Sequence, residues 1–580
     1  MTGMKKLLCG RMKKEMEMSD FYEELSNRRK AAQEKGEYPE WYTTAGYSLF
    51  EQKYKYSASG FREQAQRIAK TAAKHLGKYA EEYEQKFFDL IWKGWLSCST
   101  PVLSNMGTTR GMPVSCEGGY VEDSVDGFYT ALHEQAVLSK HGFGTSVYLG
   151  DIRPRGTGIS SGGKASGVLP VLKNFVQMSR DVSQGSNRRG AIASYLPIEH
   201  GDFWEAVEYL EQEPDDLNIG WNVSDAFVAK LEAGDDEAIK RFKRVMRVKM
   251  VTGRGYFFFP DKVNRKRPDA YVKNNLSVVA SNLCNEITLH SNKEHSFTCV
   301  LSSMNLAKYA EWKDTDAGFT ATVFLDCVAS EFIERSQGIH GLEKARAFTI
   351  KGRALGLGVC GFATYLQENM IPFESFEAHN WNNLVFKQIE EQSKAASVWL
   401  AEVFGEPEWC SGLGVRNTHR LAIAPTKSTA LLMGGVSEGI NPDPAMTYTQ
   451  AGAGGESQRI NPTLLKIMKE RGKNTKKHIQ EIIDARGSVQ GVTWLSEEEK
   501  LVFKTAFEID MSAQLRLGSG RAKYLDQWQS LNLFFSAEED PAYIAQIHKE
   551  AFLDERILGL YYCYSKAGVT AAKGECLACQ

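Results

Sequence analysis

The apolar positions in the first part of the chain recur at helical spacing. Residues three or four positions apart are Phe61, Ala65, Ile68, Ala69, Ala72 and Leu76. Gly77 then follows as a helix stop, and Asp20 with Glu23 three residues later is typical of a helix start. From Cys98 to Pro113 the composition changes to serine, threonine, glycine and proline. We therefore predict a helical N-terminal region over residues 1–95 and a second domain from residue 96.

From there to about residue 560, short apolar runs alternate with helical patterns. Residues 167–170 and 256–259 are predicted to be buried strands or strand ends, and residues 224–231 and 381–404 to be helices. The stretch from 235 to 249 is rich in both charge signs, which is typical of a solvated helix face. Alternation of this kind favours an α/β layer or barrel.

The composition narrows the class of protein. The chain has 580 residues, 24% charged and 42% hydrophobic, and its formal net charge is -2, as in ordinary soluble globular proteins. Near-neutral charge gives no support for a broad nucleic-acid surface. No apolar run is long enough to span a bilayer, and the apolar stub Leu7–Leu8 is too short for a signal peptide. Eleven cysteines are too sparse for a disulfide scaffold, so we expect a reducing, cytoplasmic compartment.

The last residues of the chain carry a dithiol. Cys576 and Cys579 are separated by two residues, and only one residue follows them. The preceding run, 567–574, is small and weakly hydrophobic, which predicts a mobile tail over residues 564–580. A dithiol on such a tether is suited to exchanging electrons with a disulfide elsewhere. Half of a zinc site is the weaker interpretation, because the tail holds no further cysteine pair or histidine.

A second motif places a thiol between an amide and a carboxyl. If residues 281–287 are extended, Asn282, Cys284 and Glu286 share one face. Burying these groups without partners would cost several kcal/mol, so the pattern is poor for a core. In an active site, the cysteine could act as a radical or a nucleophile, and the glutamate could transfer a proton. The asparagine could orient the substrate. By spacing alone, an exposed loop remains the alternative.

Other motifs are ambiguous when taken singly. Cys116 and Cys299 are each consistent with an inert, partly buried cysteine. Tyr561 and Tyr562 are adjacent aromatics, which usually pack in a core. The hydroxyl-rich run 425–429 precedes a helical pattern, which indicates either an anion site or a simple N-cap.

A glycine pattern at Gly356, Gly358 and Gly361 matches the dinucleotide-binding spacing. The segment before it is charged and helix-like, whereas that motif requires a buried strand. A nicotinamide oxidoreductase would rest on this pattern alone and is therefore a remote alternative.

Taken together, the motifs resemble the large catalytic subunit of class I ribonucleotide reductase, from about Leu96 to Gln580. The landmarks, in family order, are Asn282 to Glu286, Cys299 before Leu301 to Leu306, Arg353 to Val359, Pro425 to Thr429 with Gly439 to Pro442, Tyr561–Tyr562 and the terminal cysteine pair. The resemblance implies a ten-stranded α/β barrel over residues 96–563 with an internal finger loop. The glycine pattern would then belong to a barrel strand.

The resemblance also implies the chemistry. Cys284 would become a thiyl radical that takes the 3′-hydrogen of the substrate, Glu286 would accept the 3′-hydroxyl proton, and Asn282 would hold the ribose hydroxyls. Cys116 and Cys299 would supply two electrons as the 2′-hydroxyl leaves as water, and would end as a disulfide.

Electrons and the radical would reach the barrel from outside. The resemblance implies that Cys576 and Cys579 reduce the barrel disulfide and are recharged by thioredoxin or glutaredoxin. Tyr561 and Tyr562 would carry the oxidising equivalent from a separate, metal-containing small subunit. The chain itself would bind no cofactor or metal.

Nucleotide sites are implied as well. The implied substrate contacts, with the phosphates on the 425–429 run, are Thr100, Ser115, Pro425, Thr426, Ser428 and Thr429. A specificity site between two large subunits of a homodimer would bind a deoxynucleotide or ATP at Asp123 and Arg153. Glycine-rich turns at 156–163 and 183–190 would form two flexible loops, with Gln184 and Arg188 relaying effector identity. The ATP cone of many relatives has no visible counterpart before Leu96.

Two other functions remain open. A cobalamin-dependent reductase would share the barrel and the cysteines, but would not need Tyr561 and Tyr562. A catalytically inactive nucleotide-binding regulator would not need to retain all five redox cysteines. The motifs do not decide between a diphosphate and a triphosphate substrate.

Overall fold

A computed structural model describes residues 22–160, 162–182, 190–216, 218–452 and 455–565. Its first part is helical, as predicted. The elements there are residues 22–34 (α1), Thr44–Leu49 (α2), a π-helical turn at Phe50–Tyr54, Phe61–Ala73 (α3), a 3-10 segment at Lys74–Tyr79 and Ala80–Trp92 (α4).

The apolar stripe of α3 explains why this region packs against the rest of the chain. The predicted stripe residues Phe61, Ala65, Ile68, Ala69 and Ala72 are all buried. Residues at these spacings lie on one helix face and must be covered by another element. The α3 helix ends before Gly77, whose φ of 55° breaks the helical backbone.

The remaining chain alternates strands with helices. The strands are Leu96–Cys98 (β1), Cys116–Tyr120 (β2), Gly144–Tyr148 (β3), Ile192–Pro197 (β4), Asn218–Asn222 (β5), Tyr256–Phe258 (β6), Phe297–Asn305 (β7), Leu355–Cys360 (β8), Thr447–Gly452 (β9), Gly455–Ile460 (β10), Leu533–Phe535 (β11), Gly559–Leu560 (β12) and Cys563–Ser565 (β13).

The helices that follow α4 surround these strands. They are Thr100–Asn105 (α5), Val125–Lys140 (α6), Val168–Asp181 (α7), Phe203–Gln212 (α8), Asp225–Glu232 (α9), Asp236–Thr252 (α10), Pro260–Lys266 (α11), Asp269–Lys273 (α12), Tyr309–Trp312 (α13), Ala317–Arg335 (α14), Glu343–Gly352 (α15), Phe362–Glu368 (α16), Phe376–Phe404 (α17), Lys427–Leu432 (α18), Pro462–Glu470 (α19), Lys476–Asp484 (α20), Glu497–Val502 (α21), Met511–Ala522 (α22) and Pro541–Leu553 (α23). Short 3-10 turns lie at Leu306–Lys308 and Glu408–Cys410.

Hydrogen bonds close the strands into a barrel. Strands β2 to β6 are parallel in chain order, and β7 is parallel to β8. Parallel bridges continue the second half through residues 421–423 and 527–530, and β11 runs parallel to β13. The halves join where β2 meets β7 and where β6 meets β12, both antiparallel. Residues 527–535, which include β11, form one segment of the wall, and residues 559–565, which include β12 and β13, form another. Ten segments of the described residues therefore form the wall, and the predicted α/β barrel is confirmed.

Of four local predictions, three are confirmed and one is wrong. Residues 224–231 and 381–404 are helical in α9 and α17, and 256–258 form β6, as expected. Residues 167–170 are not a strand: α7 begins at Val168, after Gly167 with a φ of 80°. The apolar residues continue at helical spacing through Val171, Leu172 and Phe175, so the short window misled the assignment.

The glycines of the apparent dinucleotide motif lie in a barrel strand, as expected from the resemblance. A Cβ on Gly356 would lie 2.4 Å from Leu301 Cδ2 and 2.9 Å from Cys299 Sγ. A Cβ on Gly358 would lie 2.5 Å from the carbonyl oxygen of Ala422. Glycine is therefore required here by close packing between neighbouring barrel segments.

A loop runs through the barrel between α12 and β7. Residues 280–291 of this finger loop are all buried, although they have no regular secondary structure. A buried loop must satisfy its backbone polar groups, and here the barrel wall does so. Trp528 N donates to Glu286 O at 3.0 Å, and Ser146 Oγ donates to Ser281 O at 3.0 Å.

A smaller core lies beside the barrel. It contains Met446, Leu464, Met468, Ile482 and Phe503, with the β9–β10 hairpin and helices α19 to α21. Within the described ranges, no helix combines the length and apolar character needed to cross a bilayer. The division of the chain at residues 95 and 563 stays a prediction.

Candidate active site inside the barrel

The tip of the finger loop is a tight turn. Asn285 N donates to Asn282 O at 3.2 Å, and Asn285 has a left-handed backbone with a φ of 64°. The expectation of an extended segment is therefore wrong. Asn282, Cys284 and Glu286 are nevertheless all buried. Asn282 Oδ1 accepts from Glu286 N at 3.1 Å, which joins the two sides of the turn.

Three side chains hold this turn in place. Tyr195 on β4 donates its hydroxyl to Asn282 O at 2.7 Å. Asn285 Nδ2 donates to Phe257 O at 3.1 Å. Ser530 Oγ donates to Cys284 O at 2.7 Å. Hydrogen bonds between the turn and the barrel wall therefore fix the backbone that carries the Cys284 thiol.

The carboxyl of Glu286 has an unusual environment. It is fully buried, and burial raises the pKa of Glu286 to about 7, while the nearby side chains of Asn282 and Ser530 oppose this rise. Oε2 accepts from Ser530 Oγ at 3.4 Å, whereas Oε1 has no hydrogen-bond partner among the described residues. A group that titrates near neutrality can both take and return a proton.

Cys116 and Cys299 face each other across the seam between the barrel halves. They are direct partners in the antiparallel pairing of β2 and β7. Such partners have Cα atoms roughly 4.5–5.5 Å apart, and a disulfide spans Cα separations of about 4.4–6.8 Å. Both are buried, and neither forms a disulfide with another described residue. The two strands therefore present a dithiol that can become a disulfide with little backbone movement.

Amide groups contact both thiols. Asn282 Nδ2 donates to Cys116 Sγ at 3.3 Å, which links the finger loop to the cysteine pair. Gln527 Nε2 donates to Cys299 Sγ at 3.8 Å and to Leu355 O at 2.8 Å. Burial raises the pKa of Cys299 above its ordinary value. The pair is thus held as thiols within reach of the loop tip.

The two predicted tyrosines belong to a larger aromatic cluster. The rings of Tyr561 and Tyr562 have centroids 4.2 Å apart. Tyr256 on β6 lies 4.7 Å from the first and 5.5 Å from the second, and Tyr564 lies 5.6 Å from Tyr562. Arg254 Nη1 donates to the Tyr562 hydroxyl at 3.2 Å. The cluster combines packed rings with a polar contact at one hydroxyl.

The tyrosine segment also reaches the finger loop. Gly559 lies two residues before Tyr561, and a Cβ on it would lie 2.7 Å from Asn285 Nδ2. Tyr561 N donates to Leu531 O at 2.9 Å, next to the Ser530 that contacts the loop. Glycine is needed where the two backbones approach. The segment thereby connects the tyrosines to the turn that carries Cys284.

The proposed phosphate run forms a turn and the start of a short helix. Thr426 precedes α18 with a left-handed φ of 58°, and its side chain makes no capping bond to the helix. Instead Thr426 Oγ1 accepts from Gly439 N at 2.8 Å. The simple N-cap interpretation is therefore wrong. Pro425, Ser428 and Thr429 lie beside it in the same turn.

The other implied substrate contacts lie on two different elements. Thr100 is the first residue of α5, and its Oγ1 is 3.2 Å from the hydroxyl of Tyr54 in the helical region. Ser115 is buried next to Cys116, and its Oγ has no hydrogen-bond partner among the described residues.

The two predicted specificity-site residues do meet. Arg153 Nε donates to Asp123 Oδ2 at 2.5 Å, and both side chains are partly exposed. Gln184 and Arg188 lie outside the described residues, as do Cys576 and Cys579.

Sequence reasoning missed several residues that support the site, among them Tyr195, Tyr256, Gln527 and Ser530. A signal was present for Gln527 and Ser530, because three of the four residues 527–530 are polar although the run is buried in a barrel segment. Polar groups in such a position need partners, and here the partners are the finger loop and Cys299. Tyr195 carries no comparable signal.

Comparison with known proteins agrees with this geometry. Residues 40–111 match the ribonucleotide reductase all-alpha domain, and residues 114–243, 237–412 and 408–562 match the ribonucleotide reductase barrel domain. A Frog virus 3 protein named as a ribonucleoside-diphosphate reductase large subunit is 32% identical, over 87% of this chain and 95% of its own length. The corresponding large subunit of Invertebrate iridescent virus 3 is 27% identical, over 85% and 89%.

A solved structure is similar as well. The class Id ribonucleotide reductase alpha subunit of Actinobacillus ureae is 38% identical, with a TM-score of 0.85, over 92% of this chain and 99% of that one. The resemblance inferred from the motifs is confirmed. The chain therefore belongs to the ribonucleotide reductase large-subunit family, whose members reduce ribonucleotides to deoxyribonucleotides for DNA synthesis.

Proposed function

We propose that this chain is the catalytic subunit of a class I enzyme that reduces ribonucleoside diphosphates by a thiyl-radical mechanism. The observation that carries the proposal is the meeting of Cys116, Cys299, Asn282 and Glu286 at the turn that bears Cys284. The diphosphate assignment follows the names of the viral relatives.

The reaction balances with these residues alone. The Cys284 thiyl takes the hydrogen atom from C3′, and Glu286 accepts the proton of the 3′-hydroxyl. The 2′-hydroxyl then leaves as water with one proton from the cysteine pair, and the pair passes its other hydrogen atom to C2′. The remaining electron of the pair, together with the proton held by Glu286, restores the 3′-hydroxyl as the two sulfurs form a disulfide. Cys284 finally returns its hydrogen to C3′ and is again a thiyl. A pKa of Glu286 of about 7 supports reversible proton transfer at neutral pH.

The radical must come from elsewhere, because no group in this mechanism oxidises Cys284. We assign its entry to Tyr562 and Tyr561, and its source to a small subunit that contains a metal. The close rings, at 4.2 Å, and the contact of Gly559 with the loop tip support this route. A cobalamin-dependent enzyme is the second candidate and would not use the tyrosines.

The test is to assay nucleoside diphosphate reduction by the purified chain alone, with adenosylcobalamin and with a candidate small subunit. We expect activity only with the small subunit.

Tyr561→Phe and Tyr562→Phe should each block this activity without unfolding the chain, because phenylalanine keeps the ring volume but cannot release a hydroxyl proton. Activity with adenosylcobalamin, or full activity of both variants, would favour the second candidate. Inactivity in every arm with intact nucleotide binding would favour a regulator.

Turnover also requires an electron supply. We assign it to Cys576 and Cys579, recharged by thioredoxin or glutaredoxin, because a protein reductant cannot enter the barrel. In the double variant Cys576→Ser with Cys579→Ser, a pre-reduced chain should still form about one product per site. Thiol–disulfide exchange with the tail is needed only afterwards, to reduce the barrel disulfide again. Thioredoxin-driven turnover should fail, while dithiothreitol, which can diffuse in, should restore part of the rate. Product per chain under each reductant decides the assignment, and undiminished thioredoxin-driven turnover contradicts it.

The remaining assignments concern nucleotides and assembly. We assign the substrate phosphates to Thr426, Ser428 and Thr429, and the effector, a deoxynucleotide or ATP, to the Asp123–Arg153 pair between two chains of a homodimer. We assign the chain to the cytoplasm, because eleven cysteines in 580 residues are too sparse for a disulfide scaffold.

A further inference from the structure

The last turn of helix α10 contains a lysine that is fully buried. Lys249 has 0% exposure, although the charged stretch 235–249 predicts a solvated face. Burial lowers the pKa of Lys249 to about 8, and no carboxylate of the described residues pairs with it. A buried ammonium without a counter-ion costs several kcal/mol. The contacts of the buried Lys249 ammonium therefore indicate what role it has.

The partners of Lys249 are two backbone carbonyls. Nζ donates to Gly255 O at 2.7 Å and to Tyr561 O at 2.7 Å. Gly255 directly precedes Tyr256 at the start of β6. One ammonium therefore ties together the two backbone points that carry Tyr256 and Tyr561, whose rings are 4.7 Å apart.

A local helix cap explains only half of this arrangement. A lysine in the last turn of a helix often bonds a nearby carbonyl, which accounts for Gly255. Tyr561 is 312 residues away in sequence and belongs to another element. The neighbouring Met250 holds the same segment, since its carbonyl accepts from Ser565 Oγ at 3.2 Å and its sulfur lies 3.5 Å from Cys563 Sγ. Contacts from the last turn of α10 thus hold residues 561–565 in place.

We propose that Lys249 is a positioning residue for radical transfer, which holds Tyr561 against Tyr256 and Tyr562. This inference rests on the proposed role of Tyr561 and Tyr562. Transfer between rings depends on their separation and orientation, so a small displacement of the Tyr561 backbone should slow it. The ribonucleotide site lies on other residues and should be unaffected.

Lys249→Met tests the inference in the full chain assayed with its small subunit. Methionine fills similar space but donates to neither carbonyl. We expect kcat to fall about tenfold to a hundredfold, the effect of a misplacement near 1 Å. KM for the nucleoside diphosphate should stay within about twofold of wild type, because binding groups are untouched. Lys249→Gln, a shorter neutral donor that cannot span both carbonyls, is a second variant and should give an intermediate kcat.

Lys262 offers a matched control. It is also buried, its pKa is also lowered to about 8 by burial, and its Nζ also donates to carbonyls, those of Phe552 and Asp554, each at 2.8 Å. Nζ also donates to Ala551 O at 3.1 Å and to Ile557 O at 3.5 Å, and none of its four carbonyl partners belongs to a tyrosine. Lys262→Met should lower the thermal midpoint and leave kcat near wild type.

The comparison separates positioning from stability. Wild-type kcat in either Lys249 variant overturns the role of Lys249. The role is also overturned if Lys262→Met has the same thermal midpoint as Lys249→Met and loses as much kcat. Tyr561→Phe is assayed in parallel. If that variant is inactive while Lys249→Met is fully active, only the lysine assignment fails. If Tyr561→Phe is active, the tyrosine route of the proposed function fails with it.

Discussion

Replacing Cys284 by serine is expected to reduce deoxynucleotide formation to background while leaving nucleotide binding intact. A hydroxyl holds its hydrogen far more strongly than a thiol does, so the radical cannot be transferred to the serine. The turn itself should survive, because its bonds from Tyr195, Asn285 and Ser530 involve backbone oxygens or other side chains. The measurement is product formed in the presence of the small subunit, beside equilibrium binding of the substrate.

Cys360→Ser is the matched control for this change. Cys360 is buried, as Cys284 is, and lies at the end of β8, outside the site. Both substitutions bury a hydroxyl, which costs about 1–3 kcal/mol, so both should lower stability to a similar degree. Only Cys284→Ser should lose activity. Appreciable turnover by that variant would reject Cys284 as the radical site.

Replacing Glu286 by glutamine should lower kcat by about 10²–10⁴-fold, the range for loss of a general acid–base group. The wild-type rate should rise with pH through about 7, since burial raises the pKa of Glu286 to that value and the carboxylate is the base. The glutamine variant cannot titrate at this position. The rising limb centred near pH 7 should therefore be absent from its pH–kcat profile, and a limb that persists would assign the titration to another group.

The same substitution should change stability with a defined sign. The pKa of Glu286 is raised in the folded state, so the folded chain holds its proton more strongly than the unfolded chain does. The stability from this group is fully present below the ordinary glutamate pKa and is lost as pH rises through about 7. At higher pH the buried carboxylate costs about 3 kcal/mol.

Glu286→Gln should therefore gain stability relative to wild type as pH rises from 5 to 8. Thermal midpoints of both chains, measured across this range at one scan rate, test the sign. A difference between the two midpoints that is independent of pH would show that the carboxyl is not the buried, titrating group described above.

Local patterns determined the helical N-terminal region and much of the barrel. The stripe from Phe61 to Ala72 and the long run in α17 were sufficient, because amphipathic spacing records which face a helix must bury. The pattern failed at Val168, where four residues are too few to distinguish a strand from a helix start. The pattern also failed at Lys249, because the sequence does not show whether neighbouring elements will bury a charged side chain.

For the site, the chain itself determined which residues matter, and only the tertiary structure decided how they meet. The motif from Asn282 to Glu286 could be recognised by its improbable mixture of groups, but its tight turn depends on Tyr195 and Ser530 from distant barrel segments. Cys116 and Cys299 each appear inert in sequence, and they become a pair only because β2 lies antiparallel to β7. The physical reason is that side-chain chemistry is encoded locally, whereas proximity and burial, and hence the pKa of Glu286, come from long-range packing.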